Sequence, residues 1–231
     1  MSEAVTVEST SAVTVIRLDD GKANALGPDV LSAIDAGLDQ AEQAGQAVLL
    51  AGRPGRFSAG FDLGVMRQGV EAGIELVTAG ARLAVRLARF PAPCVVASSG
   101  HALAMGAVLL SAADTRIGAE GDFKIGYNEV AIGMTTPIFL LELARVRISK
   151  RHFLRAVVQA EIYDPQGAVD AGFLDRLVPP DRVESVALET AEALAKLPRG
   201  AYARTRSLVW EATLSHVEAT LEENVRAGFG G

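Results

Sequence analysis

Hydrophobic and polar positions alternate between two periods along the 231-residue chain. Short β-prone runs at residues 5–7 and 13–18 flank the polar Glu8-Ser9-Thr10-Ser11, which predicts a hairpin. Residues 19–28 break that pattern, and Pro28 suits the first turn of a helix. Leu31, Ile34, Leu38 and Ala41 follow at helical spacing, with Gly45 where the helix would stop. Val48-Leu49-Leu50 predicts a buried strand, so strand, helix and strand form a crossover and imply a parallel sheet. A long helix is predicted over Val70–Arg89, with Ile74, Val77, Ala81, Ala84 and Ala88 as one stripe. Beyond Pro91 and Pro93, Cys94-Val95-Val96-Ala97 predicts a second buried strand. It feeds through Ser98, Ser99 and Gly100 into residues 104–113, apolar nearly all round and so a helix buried in protein.

Residues 135–231 predict a helical layer whose amphipathic faces need a partner surface, either the sheet core or a neighbouring subunit. Pro137 opens one helix, Ser149 caps the next, and Asp164-Pro165 starts a short one that Gly172 ends. A strand is expected over 173–178, then a helix capped by Asp181 and running to Lys196, then two more after Pro198 and Gly200. The division expected is an α/β core over 1–180 and a C-terminal helical region over 181–231.

Composition narrows the class. At 49% hydrophobic and 22% charged, the chain can bury a sizeable core. A net charge of −6 argues against nucleic acid as the main partner, because phosphate binding needs a basic face. The single cysteine, Cys94, excludes an internal disulfide framework and fits a reducing compartment. The first ten residues carry neither a basic nor an apolar export signature, and no apolar run approaches the ~20 residues of a membrane span. A cytoplasmic protein with no membrane partner is the expectation.

The candidate chemistry gathers in two places. Strand, glycine-rich loop and helix occur twice, at 48–66 and at 94–113, and the functional loops of α/β proteins lie at such strand ends. A buried helix fed by a tight loop leaves its first backbone N–H groups free, and these suit a developing negative charge. About twenty residues further on, Glu129 stands in the apolar, glycine-flanked run Ile125 to Gly133, a costly setting for a carboxylate without a task. A polarising loop and one carboxylate point to chemistry at an acidified carbon.

The motifs also resemble a family. Lys22-Ala-Asn-Ala-Leu26, Arg56-Phe-Ser-Ala-Gly-Phe-Asp-Leu63, residues 99–114, 125–134 and 171–179 are similar, in order and spacing, to the crotonase, or enoyl-CoA hydratase/isomerase, superfamily. The resemblance implies a crotonase-like spiral of ββα and βαβ turns and a C-terminal helical layer. It implies trimer contacts from the tail, giving a homotrimer or a dimer of trimers. The implied substrate is an acyl-CoA thioester, whose coenzyme A is the only cofactor, with no metal. It assigns an oxyanion hole to the N–H groups of Phe61 and Met105. Most members have glycine at the second position, and the side chain of Met105 restricts φ there. Backbone around Lys22-Ala23 and Ala59 is implied to lie along the CoA adenine, with Gly60, Leu63 and Val108 also in the substrate site.

The carboxylates decide between reactions. By the same resemblance, hydratases carry two glutamates, at the positions here held by Val108 and Glu129; this chain keeps only the second. Hydration asks for one group to activate water and another to protonate carbon. Moving a double bond from C3 to C2 needs only one shuttle, so the single glutamate favours the Δ3,Δ2-enoyl-CoA isomerase branch. A hydratase using Glu129 alone is the closest alternative, and a silent CoA-binding member is the alternative from another class.

Simpler roles compete for other residues. Glu129 could pair with an arginine near 145–155. Asp62 and Asp114 fit capping roles, and Cys94 fits inert packing in a strand. His101 has no nucleophile elbow around Ser98 or Ser99, and the three histidines lack metal-ligand spacing. Arg82, Arg86 and Arg89 share a helix face that suits solvent better than CoA phosphates.

Overall fold

The computed structural model describes residues 3–230, so Met1, Ser2 and Gly231, the outer limits of the two expected regions, lie outside the described residues. The predicted hairpin is present: β1 (Val5–Ser9) and β2 (Val13–Leu18) pair antiparallel, Val5 opposite Leu18. Helix α1 (Pro28–Ala44) starts on its proline and ends at Gly45, whose N–H returns to Ala41 and Glu42. It delivers β3 (Ala47–Gly52), which pairs parallel with β2.

From β3 onward one unit recurs: a strand of a large sheet, a short strand of a small sheet, then a helix. The first turn is β3, β4 (Gly55–Ser58), α2 (Leu63–Met66) and α3 (Val70–Arg89). The second is β5 (Cys94–Ser98), β6 (Gly100–Leu103) and α4 (Met105–Ala112). The third is β7 (Thr115–Ala119), β8 (Ile125–Gly126), a 3-10 turn (Val130–Ile132) and α5 (Ile138–Arg147). Next come α6 (Phe153–Val157), α7 (Pro165–Ala171), β9 (Arg176–Val178), α8 (Val183–Leu194) and α9 (Arg199–Gly228). The large sheet runs β1-β2-β3-β5-β7-β9, parallel from β2 onward, and the small one β4-β6-β8 is parallel throughout. This is the expected spiral.

Burial explains why the central strands are apolar without interruption. Val13, Val15, Leu49, Val95 and Ile117 face Val183, Ala187 and Ala191 of α8. Alternate residues of the same strands, Ile16, Val48, Leu50 and Val96, face α1 and the helices beyond it. Both faces are covered, so neither tolerates a polar alternation.

Five expectations need correction. The loops after β3 and β5 are strands themselves, β4 and β6, whose pairing rests on main-chain approach rather than an apolar run; a Cβ on Gly100 would meet Gly55 backbone at 2.0 Å. Ser149 does not cap a helix with its side chain. Its carbonyl instead accepts from His152 and Phe153, and α6 begins only at Phe153. The strand expected over 173–178 is confined to Arg176–Val178, because Phe173 and Leu174 turn into the core. Asp181 lies in a 3-10 turn, α8 starts at Val183 without a side-chain cap, and it ends at Leu194. Beyond it a single 30-residue helix, α9, replaces the two expected, since Gly200 sits in its first turn and does not interrupt it. That helix packs across α3 and α5.

Candidate active site

The first loop is tied down by the segment before α1. Asn24, held at φ 50, donates from its amide to Leu18 O and Phe57 O at 2.9 and 3.1 Å. Its carbonyl accepts from the Ser58 hydroxyl at 2.8 Å, and that hydroxyl accepts from Gly60 N–H. Ala59 N–H donates to Ala23 O, and Lys22 O accepts from the Arg53 guanidinium. Leu26 then bridges the loop, its N–H on Gly60 O and its carbonyl on Asp62 N–H. In such a parallel bridge the residue between, Phe61, has its own N–H turned to the other side. No acceptor for it is recorded among the described residues.

The second loop ends β6. Ala104 N–H bonds Gly126 O, and Ala104 takes φ 49 and ψ −124, a conformation that side chains resist. The restriction expected at Met105 therefore falls one residue earlier. Met105 is the first residue of α4, so its N–H has no intrahelical acceptor. The loops touch: a Cβ on Gly60 (φ +94) would lie 2.8 Å from Ala104 Cβ and 3.3 Å from Met105 N. The Phe61 ring packs on Gly80 of α3, where a Cβ would meet it at 2.4 Å.

The third turn carries Glu129. Tyr127 is buried, its hydroxyl 2.5 Å from Ser111 Oγ of α4 and its ring against Phe173. This anchor puts Asn128 and Glu129 at the mouth of the 3-10 turn, where Glu129 O accepts from Ile132 and Met134. Glu129 is buried, with 9% of the residue exposed. Its Oε2 and the Asn128 Oδ1 are both buried with no hydrogen-bond partner among the described residues. Burial pushes the carboxyl up to about 6, against a smaller downward pull from the Glu129 and Asn128 backbone. The ion pair considered for it does not form. Arg145 and Arg155 pair with Glu142 and Glu161, and Arg147 bonds main-chain carbonyls.

These three turns enclose a cavity of about 170 Å³. Of the residues singled out in the sequence, Ala59, Phe61, Leu63, Met105, Val108 and Glu129 line it. Lys22, Ala23 and Gly60 do not; Ala23 O holds Ala59 N–H, Lys22 O accepts from Arg53, and Gly60 spaces the loops. Met66, Val77, Ala104, Asn128, Ile132, Met134, Pro137 and Phe139 complete the wall. Sequence reasoning missed Ile132, Met134 and Phe139 as wall residues. Ile132 and Met134 follow from the turn that Glu129 O holds, whereas Phe139 sits in the first turn of α5, where Asn224 Oδ1 of α9 accepts from Ile138 N–H at 2.7 Å. No local signal could show the Asn224 contact.

Other candidates take structural places. Asp62 caps α2 through Gly64 N–H, and Asp114 accepts from Cys94 N–H and pairs with Arg206. His101 Nδ1 accepts from Lys124 N–H, and the buried Cys94 thiol is pushed up to about 12. Arg82, Arg86 and Arg89 pair with Glu222, with Asp35, Asp39 and Glu42, and with Glu218. Among the described residues, no group of three or more His, Cys, Asp or Glu side chains could hold a metal ion.

The profile of the enoyl-CoA hydratase/isomerase family matches residues 8–227. The chain belongs to that family. Solved enoyl-CoA hydratase/isomerase relatives share its architecture. A family protein from Pseudomonas syringae is 42% identical with a TM-score of 0.95, covering 98% of both chains. An enoyl-CoA hydratase from Mycobacterium marinum is 36% identical at TM-score 0.92, over 98% of this chain and 100% of that one. Human mitochondrial enoyl-CoA delta isomerase 1 is 28% identical over 97% of this chain and 77% of its own. The hydratase/isomerase family thus supplies the fold and the acyl-CoA thioester class, while its members' names divide between two reactions.

Proposed function

We propose that this chain converts a 3-enoyl-CoA to a 2-enoyl-CoA, with Glu129 as the only proton shuttle. The observation that supports this most is a single carboxylate in a cavity whose other polar lining side chain is the amide of Asn128, with Val108 apolar in the same wall. The Glu129 carboxylate takes a proton from C2, and the C–H electron pair flows into the carbonyl, giving a dienolate. The protonated Glu129 then returns its proton to C4, and the double bond comes to rest between C2 and C3. No net acid or base is consumed. A group poised near 6 is well matched to both halves of this transfer near neutrality.

The N–H groups of Phe61 and Met105 are the donors for the thioester oxygen. Each such donor typically contributes on the order of 10²–10³ in rate. Backbone around Lys22-Ala23 and Ala59 would carry the adenine end of coenzyme A, with Gly60, Leu63 and Val108 nearer the thioester. We also infer a homotrimer or dimer of trimers; Leu154, Val158 and Leu208, 57% to 70% exposed, are apolar side chains that such contacts would cover.

Hydration of a 2-enoyl-CoA is the second reading. It is favoured by the unpartnered Asn128 Oδ1 and Glu129 Oε2, two acceptors on one cavity that a reacting water could satisfy. Turnover of purified protein with a 3-enoyl-CoA and, separately, a 2-enoyl-CoA separates the two. Faster conversion of the 3-enoyl substrate is expected. Hydration at a comparable rate would replace the isomerase reading, and tight CoA binding without turnover of either would leave a silent binder.

A further inference from the structure

A second cavity, of about 430 Å³, opens away from Glu129 where the end of α5 meets the start of α9. Two guanidinium groups, Arg147 and Arg206, and the Asp114 carboxylate line it, with the Arg116–Asp175 pair outside the lining. Arg116 pairs with Asp175 at 2.5 Å, and Arg206 pairs with Asp114 at 2.8 Å. Arg147 is left over. Its guanidinium donates to the main-chain carbonyls of Ser111 and Ala113 and lies 5.3 Å from the centroid of the Trp210 ring. No carboxylate reaches it within ion-pair distance among the described residues. Burial pushes Arg147 down to about 10, with Arg116 adding to the effect and Asp114 and Asp175 opposing it.

The rest of the groove is unlike an ordinary charged surface. Val146, Leu197 and Val209 are 39%, 46% and 62% exposed, and they line the opening as an apolar wall. The Tyr202 hydroxyl beside them is buried without a hydrogen-bond partner among the described residues. A half-buried cation with no carboxylate in contact is costly, and an anion that brings its own apolar body would satisfy both the cation and the wall.

We propose that this groove binds a small amphiphilic carboxylate, with the carboxylate on the Arg147 guanidinium and the hydrocarbon chain along Val146, Leu197 and Val209. The site is separate from the Glu129 cavity and does not rest on which reaction that cavity performs. Charge selects the head group, and the open apolar wall selects a flexible chain over a compact ion.

Trp210 is the chain's single tryptophan, so its fluorescence reports this groove directly. The test titrates octanoate into the purified protein in its native assembly, following Trp210 emission and heat of binding, with octylammonium as the charge control. Saturable octanoate binding is expected, with none from octylammonium. Arg147→Met should weaken it about tenfold or more, the loss expected for one charge-assisted pair. Val209→Glu puts an internal carboxylate on an exposed rim position and should block octanoate equally, without disturbing any buried arginine. Binding that survives both variants would belong to the catalytic cavity and overturn the assignment. Absence of binding at millimolar octanoate, as when a neighbouring copy covers the groove, overturns it too.

Discussion

Gly60 and Ala104 approach so closely that a Cβ on Gly60 would stand 2.8 Å from the Ala104 Cβ. This contact sets the separation of the Phe61 and Met105 N–H groups, because each residue directly follows one of the pair. Gly60→Ala adds that Cβ at φ +94, where L side chains are also strained. The loops must part. Turnover is expected to fall on the order of 10²-fold, as for loss of one oxyanion donor. Steady-state kinetics beside a circular dichroism spectrum of wild-type shape would check it.

Ala104 itself carries the strain that the sequence placed on Met105. At φ 49 and ψ −124 a side chain is disfavoured, and glycine is not. Ala104→Gly should therefore keep activity and gain stability by roughly 1 kcal/mol, relief of strain outweighing the added freedom of the unfolded chain. Chemical denaturation measures this; a loss of stability would show that the conformation is unstrained.

Much of this was legible from pattern. The stripe Ile74, Val77, Ala81, Ala84 and Ala88 marked α3 at its observed bounds, because a helix buried along one face advertises its period. Strands β4 and β6 gave no such signal, since four residues led by Gly55 or Gly100 pair through main chain. Glycine and proline at 198–200 pointed to two helices, yet glycine in a first turn costs little and α9 runs through. At the site, Ala59, Phe61, Leu63, Met105, Val108 and Glu129 line the cavity where motifs named them. No motif named Phe139, whose turn of α5 is held by Asn224, 86 residues from Ile138.

The Glu129 carboxyl makes two pH predictions. The base must be ionised to take a proton, so kcat/KM should rise through about pH 6 and level off above it. Stability runs the opposite way. A carboxyl raised from 4.5 to about 6 binds its proton more tightly when folded, so its contribution is best below pH 4.5 and is lost as pH rises through 6. Glu129→Gln removes that burden. It should stabilise the protein by about 2 kcal/mol at pH 7.5 and by much less at pH 4.5. Thermal or denaturant unfolding of both proteins at the two pH values checks the difference.

The central claim is that one carboxylate carries the proton both ways. The most direct measurement is kcat of Glu129→Gln beside wild type on a 3-enoyl-CoA, with substrate affinity measured in parallel. Glutamine preserves the shape of the cavity and cannot shuttle a proton. A loss of about 10³-fold in kcat with affinity retained is the result predicted. A kcat within about tenfold of wild type would contradict the claim, because another group would then be moving the proton.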